Sequence, residues 1–210
     1  LLEMIFAEVR TQMMEKNLIL NEGTLVDATL IHASEPKRKK DEYGNVISNE
    51  AHDTDATYTS KRGVKHHGYK MHIATDRAGL VTEVKTTTAK VHDSQMIDAL
   101  TQNETKAIFA DSGYMSKERK RLLRSKGIFN GVIERRVRGQ KELSAKQSKN
   151  NQRFSKIRSI VEMPFAFMKR LMHYTQTKYL GLHKNTQYHY LLAAAYNLRR
   201  MPNLIIQRGG

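Results

Sequence analysis

The chain has 210 residues and carries 36 lysines and arginines against 21 aspartates and glutamates, a formal net charge of +15. That length can bury a substantial core as one domain, or one domain with an appendage, and that charge suits an anionic partner, most simply nucleic acid, with a merely basic ribosomal-type protein as the plainer alternative. The absence of cysteine excludes a disulfide framework and a cysteine-based zinc site and agrees with a reducing cytoplasm, while apolar runs reach only about a third of the roughly 20 residues of a membrane helix and no signal-peptide pattern is visible.

The first residues already follow a helical period, with Leu1, Leu2, Ile5, Phe6, Val9 and Met13 near 3.6 spacing. After the helix exit "NEG", the β-branched run "TLVDATLI" predicts a strand with Asp27 in its middle. Residues 34 to 62 are polar, charged and poor in core residues, which predicts a long loop or insertion whose lysines are suited to gripping phosphate. Two runs of period-2 character, "HGYKMHIATD" and "LVTEVKTTTA", then flank the turn "RAG" as a β-hairpin.

A helix is expected to start at Asp93 or Ser94, with Met96, Ile97 and Leu100 on its apolar side. "KAIFAD" reads as a buried strand ending in Asp111, and "SGYMSKERKRLLRSKG" as a turn and a basic helix that stops at Gly127. "IFNGVI" is the expected fifth strand, and residues 134 to 153 a basic linker. Two helices follow, one around Glu162 and one at "NTQYHYLLAAAYNLRRM". Three strands, helix, strand, helix, strand and C-terminal helices predict an α/β or α+β domain on a mixed five-stranded sheet.

Within this order Asp27 lies in a strand, Asp111 at a strand's end and Glu162 on a helix. Carboxylates on rigid elements are what two-metal phosphoryl-transfer sites need to hold hard cations about 3.5–4 Å apart. Each acid also has an ordinary explanation. A buried aspartate in an apolar strand needs a hydrogen-bonding partner, Asp111 could cap its turn, and Glu162 could be half of an i, i+4 surface pair with Arg158. Arg158, Glu162 and Lys169 together would form a charged stripe beside Ile157, Val161, Pro164, Met168 and Leu171.

The blocks "GTLVDATLI", "GYKMHIATD", "FADSGYMS", "RSIVEMPFAFMKR" and "LLAAAYNLRRM", running from about Gly23 to Met201, resemble the DDE transposases of bacterial insertion sequences, of the insertion-sequence-5 type within the insertion-sequence-4 superfamily. The resemblance implies a ribonuclease H-like fold with the first Asp on the first strand, the second after the fourth strand and the Glu on a following helix. The implied catalytic and metal-binding triad is Asp27, Asp111 and Glu162, holding two Mg²⁺ ions with Mn²⁺ as a substitute. The implied reaction is hydrolysis of the phosphodiester at transposon ends, followed by strand transfer of the 3′-hydroxyl into target DNA. The implied partners are double-stranded DNA and, in a full-length form, a second copy, with no membrane and a bacterial cytoplasmic location, on the nucleoid when bound to DNA.

The family's signature around the glutamate is tyrosine, two residues, arginine, three residues, glutamate, six residues, lysine or arginine. Arg158, Glu162 and Lys169 fit it, whereas Ser155 stands in the tyrosine's place. Arg158 and Lys169 are thereby expected to face DNA phosphate, with Lys70 and Lys65 as further DNA contacts. Pro164 is expected to remove one helical hydrogen bond and bend the helix. On this resemblance residues 1–20 would end an N-terminal helical region, with the catalytic domain at 21–205, and the chain would be a truncated form that begins at the last helix before that domain. His66, His67, His72 and His92 around the hairpin offer a rival site, but their spacing fits no zinc motif. A metal-dependent nuclease on the same fold and a non-catalytic basic DNA-binding remnant are the alternatives.

Overall fold

A computed structural model of the chain describes residues 1–35, 37–50, 53–114, 116–136 and 138–207, with side chains for all of these except 37–39 and 46–50. Helix α1 (Leu2–Glu15) precedes strand β1 (Thr24–His32). Strands β2 (Lys37–Lys40) and β3 (Val46–Glu50) pair only with each other, and β4 (Thr57–Lys61), β5 (Val64–Thr75) and β6 (Val81–Thr88) follow. A 3₁₀ turn at Asp93–Gln95 and the single-turn helix α2 (Ile97–Leu100) lead to β7 (Ala107–Phe109), a 3₁₀ turn at Ser112–Tyr114, α3 (Lys117–Ser125) and β8 (Phe129–Asn130). Helix α4 (Ala145–Arg158), a 3₁₀ turn at Ser159–Val161, α5 (Glu162–Arg170) and α6 (Leu182–Gln207) complete the order.

The main sheet has six strands in the order β4-β5-β1-β7-β8, with β6 also on β5. β5 is long enough to serve two neighbours on one edge. Its residues 64–68 pair with β4 and its residues 69–75 with β6, while its other edge runs antiparallel to β1 from Leu25↔Thr75 to His32↔Gly68. β7 lies parallel to β1 and β8 parallel to β7. The core strands β6-β5-β1-β7-β8 thus form a mixed sheet flanked by helices, the α/β arrangement expected. Gly68 has φ +150°, and a Cβ there would strike the carbonyl oxygen of Ile31, so no other residue suits the point where β5 passes from one neighbour to the other.

Alternation along β1 sorts the two cores. Leu25 and Ile31 join Met71, Ile73 and Val84 against Phe154, Val161, Phe165 and Leu192 of the C-terminal helical segments. Val26 joins Ala74, Ile108 and Ala110 against Leu100 and Leu123 on the opposite face. Helix α1 packs on α6 and contributes Phe6 and Met13. Asn197 of α6 accepts from the Val81 N–H and donates to the Val81 carbonyl, both at 2.8 Å, which fastens the helix to the start of β6.

Several sequence expectations need correction. The region 34–62 is not a plain loop, because "TYTSK" supplies β4 as a sixth strand and 37–50 a separate hairpin; Lys37 and Lys39, among the lysines expected to grip phosphate, lie outside the described side chains. The later part of the presumed linker 134–153 is helical, from Ala145 onward, since Ser144 and Gln147 form a reciprocal capping box that satisfies first-turn donors without any apolar stripe. The predicted helix after His92 is a 3₁₀ turn plus one turn of α-helix, and the fifth strand shrinks to Phe129–Asn130. Finally, the charged stripe does not lie on one helix, for the 3₁₀ turn at Ser159–Val161 separates Arg158 at the end of α4 from Glu162 at the start of α5. Pro164 falls in the first turn of α5, where its missing N–H costs least.

Candidate active site

The site is assembled from the middle of the central strand, the loop after its parallel neighbour and the α4–α5 junction. Asp27 faces Ile73 across the β1–β5 ladder and points to the side packed by the C-terminal helices. The carboxylate is mostly shielded, at 22% side-chain exposure, and accepts from the Ala28 N–H at 2.9 Å. Its partner comes from 131 residues away: Nη1 of Arg158 donates to Oδ2 of Asp27 at 2.8 Å. The other terminal nitrogen of the same guanidinium donates to Oε1 of Glu162 at 3.0 Å. One arginine therefore bridges two of the three predicted acids.

Burial raises the pKa of Asp27, and the Glu162 carboxylate raises it further, against the lowering effect of the Ala28 N–H and of Arg158. Loss of solvation wins over the internal cation. The pocket around Asp27 thus has more demand for positive charge than Arg158 supplies. Glu162, at 57% side-chain exposure, is the solvent-facing member of the pair.

Asp111 follows β7, whose register with β1 pairs Leu25 with Phe109. Asp111 lies two residues past that last pair, in the loop that leaves β7, as Asp27 lies two residues past Leu25 in β1. Its Oδ1 is turned into its own loop, accepting from the Ser112 N–H at 2.7 Å and from the Ser112 hydroxyl at 3.1 Å. The Ser112 hydroxyl in turn accepts from Nε of Arg135. Among the described residues, no three histidine, aspartate or glutamate side chains are close enough together to hold a metal ion. The structure joins Asp27 to Glu162 and leaves Asp111 in the loop after β7, without closing the three into one cluster.

The donor set nevertheless suits a hard divalent cation. Its members are carboxylate oxygens on a strand, a strand end and a helix start, and the buried one is short of positive charge.

Sequence reasoning missed three participants. The Tyr114 hydroxyl is buried without a hydrogen-bond partner among the described residues, and its pKa is raised by burial and then by Asp93, Asp27 and Asp111, so it sits among these carboxylates. The quoted block "FADSGY" contains it, and the signal was its fixed distance from Asp111. Arg135, in the presumed linker, carried no signal. Asp93, read as a helix start, instead meets the Lys70 ammonium at 2.9 Å.

The predicted DNA-contacting lysines diverge. Lys70 is 15% exposed at its side chain and also donates to the Val91 carbonyl at 2.8 Å, so its charge is spent internally. Lys65 is exposed on the hairpin between β4 and β5, opposite Ser60. Lys169 is half-buried near Lys61, and burial together with that neighbouring charge holds its pKa below the usual lysine range. Ser155 is exposed on α4. Of the rival histidines, His72 bonds Thr87, His67 bonds the Ser34 carbonyl and His92 bonds Ser94.

Comparison with known proteins gives the family. The transposase of insertion sequence element IS1106 from Neisseria meningitidis serogroup B is 30% identical over 205 residues, covering 93% of this chain and 71% of that protein. Among solved structures, the Mos1 transposase in a pre-cleavage transpososome aligns with all of this chain and 62% of its own, at 12% identity and a TM-score of 0.31. The family described as the transposase DDE domain matches residues 20–198, and the chain belongs to that family.

Proposed function

We propose that this chain is the catalytic domain of an insertion-sequence DNA transposase of the insertion-sequence-5 type, cutting the phosphodiester at transposon ends and transferring the freed 3′-hydroxyl to target DNA. The observation that carries the reading is the convergence of Asp27 and Glu162 on one guanidinium, with Asp111 in the loop just past the adjoining strand. Asp27, Asp111 and Glu162 are the residues that would hold two Mg²⁺ ions, or Mn²⁺ in their place. When bound, such ions supply Lewis acidity for attack on phosphorus and for departure of the 3′ oxygen. Asp27 is positioned by the rigid ladder of β1, and Glu162 by the first turn of α5.

Arg158 partly offsets the paired carboxylates until a cation and a DNA phosphate arrive, and it then serves as a phosphate contact together with Lys169. Ser112 and Arg135 orient Asp111. Lys65 contributes to the sequence-independent grip on duplex DNA, and Lys70 supports the fold around Asp93. Within this reading residues 1–20 are a helical region beside the catalytic domain at 21–205, the protein works in the bacterial cytoplasm, on the nucleoid when bound to DNA, and it pairs with a second copy.

The test is cleavage of a duplex carrying an element end, with Mg²⁺ or Mn²⁺, by the wild-type chain and by Asp27→Asn, Asp111→Asn and Glu162→Gln. Metal-dependent cleavage that survives in any of the three removes that residue from the triad. The turn of Asp111 toward Ser112 is the feature that favours a non-catalytic remnant instead. If Mn²⁺ fails to raise the melting temperature of a chain that still binds DNA, the remnant reading replaces the catalytic one.

A further inference from the structure

At the end of β1, five residues beyond Asp27, the His32 ring lies 5.2 Å from the His66 ring at an angle of 57°. Lys169, two turns along α5 from Glu162, bears on His32, and Lys61 at the end of β4 bears on Lys169. Four basic side chains thus converge from β1, from the β4–β5 hairpin and from the last turn of α5. Among the described residues, none of them has a carboxylate within ion-pair distance. We propose that His32, His66, Lys61 and Lys169 form a seat for one phosphate of a nucleic-acid backbone.

The physical argument is one of unbalanced charge. Holding the half-buried Lys169 ammonium near that of the exposed Lys61 raises the free energy unless an anion is brought in. The carbonyls at the end of α5 favour Lys169, but they do not account for Lys61 and two imidazoles arriving from other elements. Two ammonium groups, each with three donors, and imidazole N–H groups match the several acceptor oxygens of a phosphate diester. Lysines read charge rather than base identity, so the seat holds a strand without choosing its sequence.

A strand fits better than a free ion. Beyond the cluster the same hairpin continues with exposed Arg62 and Lys65, which lengthens the basic surface past the size of one phosphate. Strand β1 and helix α5 both lead from the carboxylates to this seat, about 17 Å along the strand. The seat would therefore hold the DNA a few nucleotides from the bond being cut, and it rests on the DNA reading above.

The experiment is fluorescence anisotropy of a labelled duplex over a KCl series, using the whole chain. Wild type is compared with Lys61→Ala, His66→Ala and, as an equal charge loss on the far side of the sheet, Lys126→Ala, with melting curves to verify folding. Lys61→Ala is expected to weaken binding about threefold to tenfold and to flatten the slope of log K against log salt by about 0.9. His66→Ala is expected to weaken binding with a smaller change of slope, and Lys126→Ala to leave both unchanged. Equal losses in all three variants mean bulk charge and overturn the seat, as does wild-type binding that neither Lys61→Ala nor His66→Ala alters; both results leave the DNA reading standing.

A wild-type chain that binds no duplex overturns the DNA reading and the seat together. Inorganic phosphate provides the last arm, read from the ring proton resonances of His32 and His66. If phosphate alone shifts them at the concentrations at which duplex does, the site is one for a free anion, and the backbone assignment fails.

Discussion

The acidic notch and the basic ledge of this molecule are electrostatic opposites in more than sign. At the notch, Asp27 and Glu162 meet a cation supplied by the chain itself, the bridging guanidinium of Arg158. At the ledge, Lys61, Arg62, Lys65 and Lys169 meet no carboxylate within ion-pair distance among the described residues. A site whose two carboxylates share an internal cation can be kept folded while empty, whereas one with no internal counter-charge waits for it from outside. The comparison separates chemistry from grip, and variants can break or sharpen it.

The largest expected effect is on chemistry alone. Asp27→Asn, Asp111→Asn or Glu162→Gln should each lower metal-dependent cleavage by at least about a thousandfold, roughly 4 kcal/mol of transition-state stabilisation, while duplex affinity stays within about threefold. A variant that lost both together would merge the two regions into one.

Acid titration is the next lever, because it contrasts buried histidines with those on the ledge. Burial lowers His72 to about 4 and His189 to about 3. Both folded values lie below the usual 6.5, so the neutral form is the folded one, and the stability it contributes is fully present above pH 6.5 and lost as pH falls toward the folded values. Each histidine should remove on the order of 1.4 kcal/mol per pH unit in that window. Urea midpoints measured from pH 7 to pH 4 check this, and a flat profile would show that these rings are not held neutral.

Arg158→Ala comes third. It leaves the shielded Asp27 carboxylate without its cation and should cost about 2 kcal/mol of stability, below the range for fully buried pairs because both partners keep some solvent. Mg²⁺ or Mn²⁺ should restore part of that loss in thermal melts, more than it stabilises the wild type. If divalent ions stabilise both chains equally, Arg158 is not a stand-in for the metal's charge. Lys65→Ala, at the exposed hairpin, is the smallest, with no more than about 0.5 kcal/mol on stability and a modest loss of duplex affinity at low salt.

The notch was the more legible of the two regions. An acid inside "TLVDATLI" stands out because burial without a partner is so costly, and Asp111 stands out at the end of an apolar run. What could not be read was the partner, since Arg158 bonds Asp27 across 131 residues and local spacing offers only its i, i+4 pairing with Glu162. Helix α4 was hidden by its polarity, as Phe154 is its one fully buried residue. β4 was hidden because a strand of "TYTSK" exposes most of its residues and takes its stability from hydrogen bonds to β5. Lys70 shows the opposite limit, because a basic residue in a recognised block was assigned to DNA when Asp93, 23 positions later, had already taken its charge.

The two-part pairing of β5 makes that strand a ruler. One continuous backbone carries Ile73 opposite Asp27 at one end and, past Gly68, the hairpin with Lys65 at the other. The span between notch and ledge is therefore counted in residues and cannot drift, since a slip of one position would turn every side chain to the wrong face. A chain lengthened by two residues in both strands of that hairpin would keep its faces and carry the tip about 7 Å farther out. Where the backbone of a bound duplex is gripped, relative to where it is cut, would then be a quantity written in strand length.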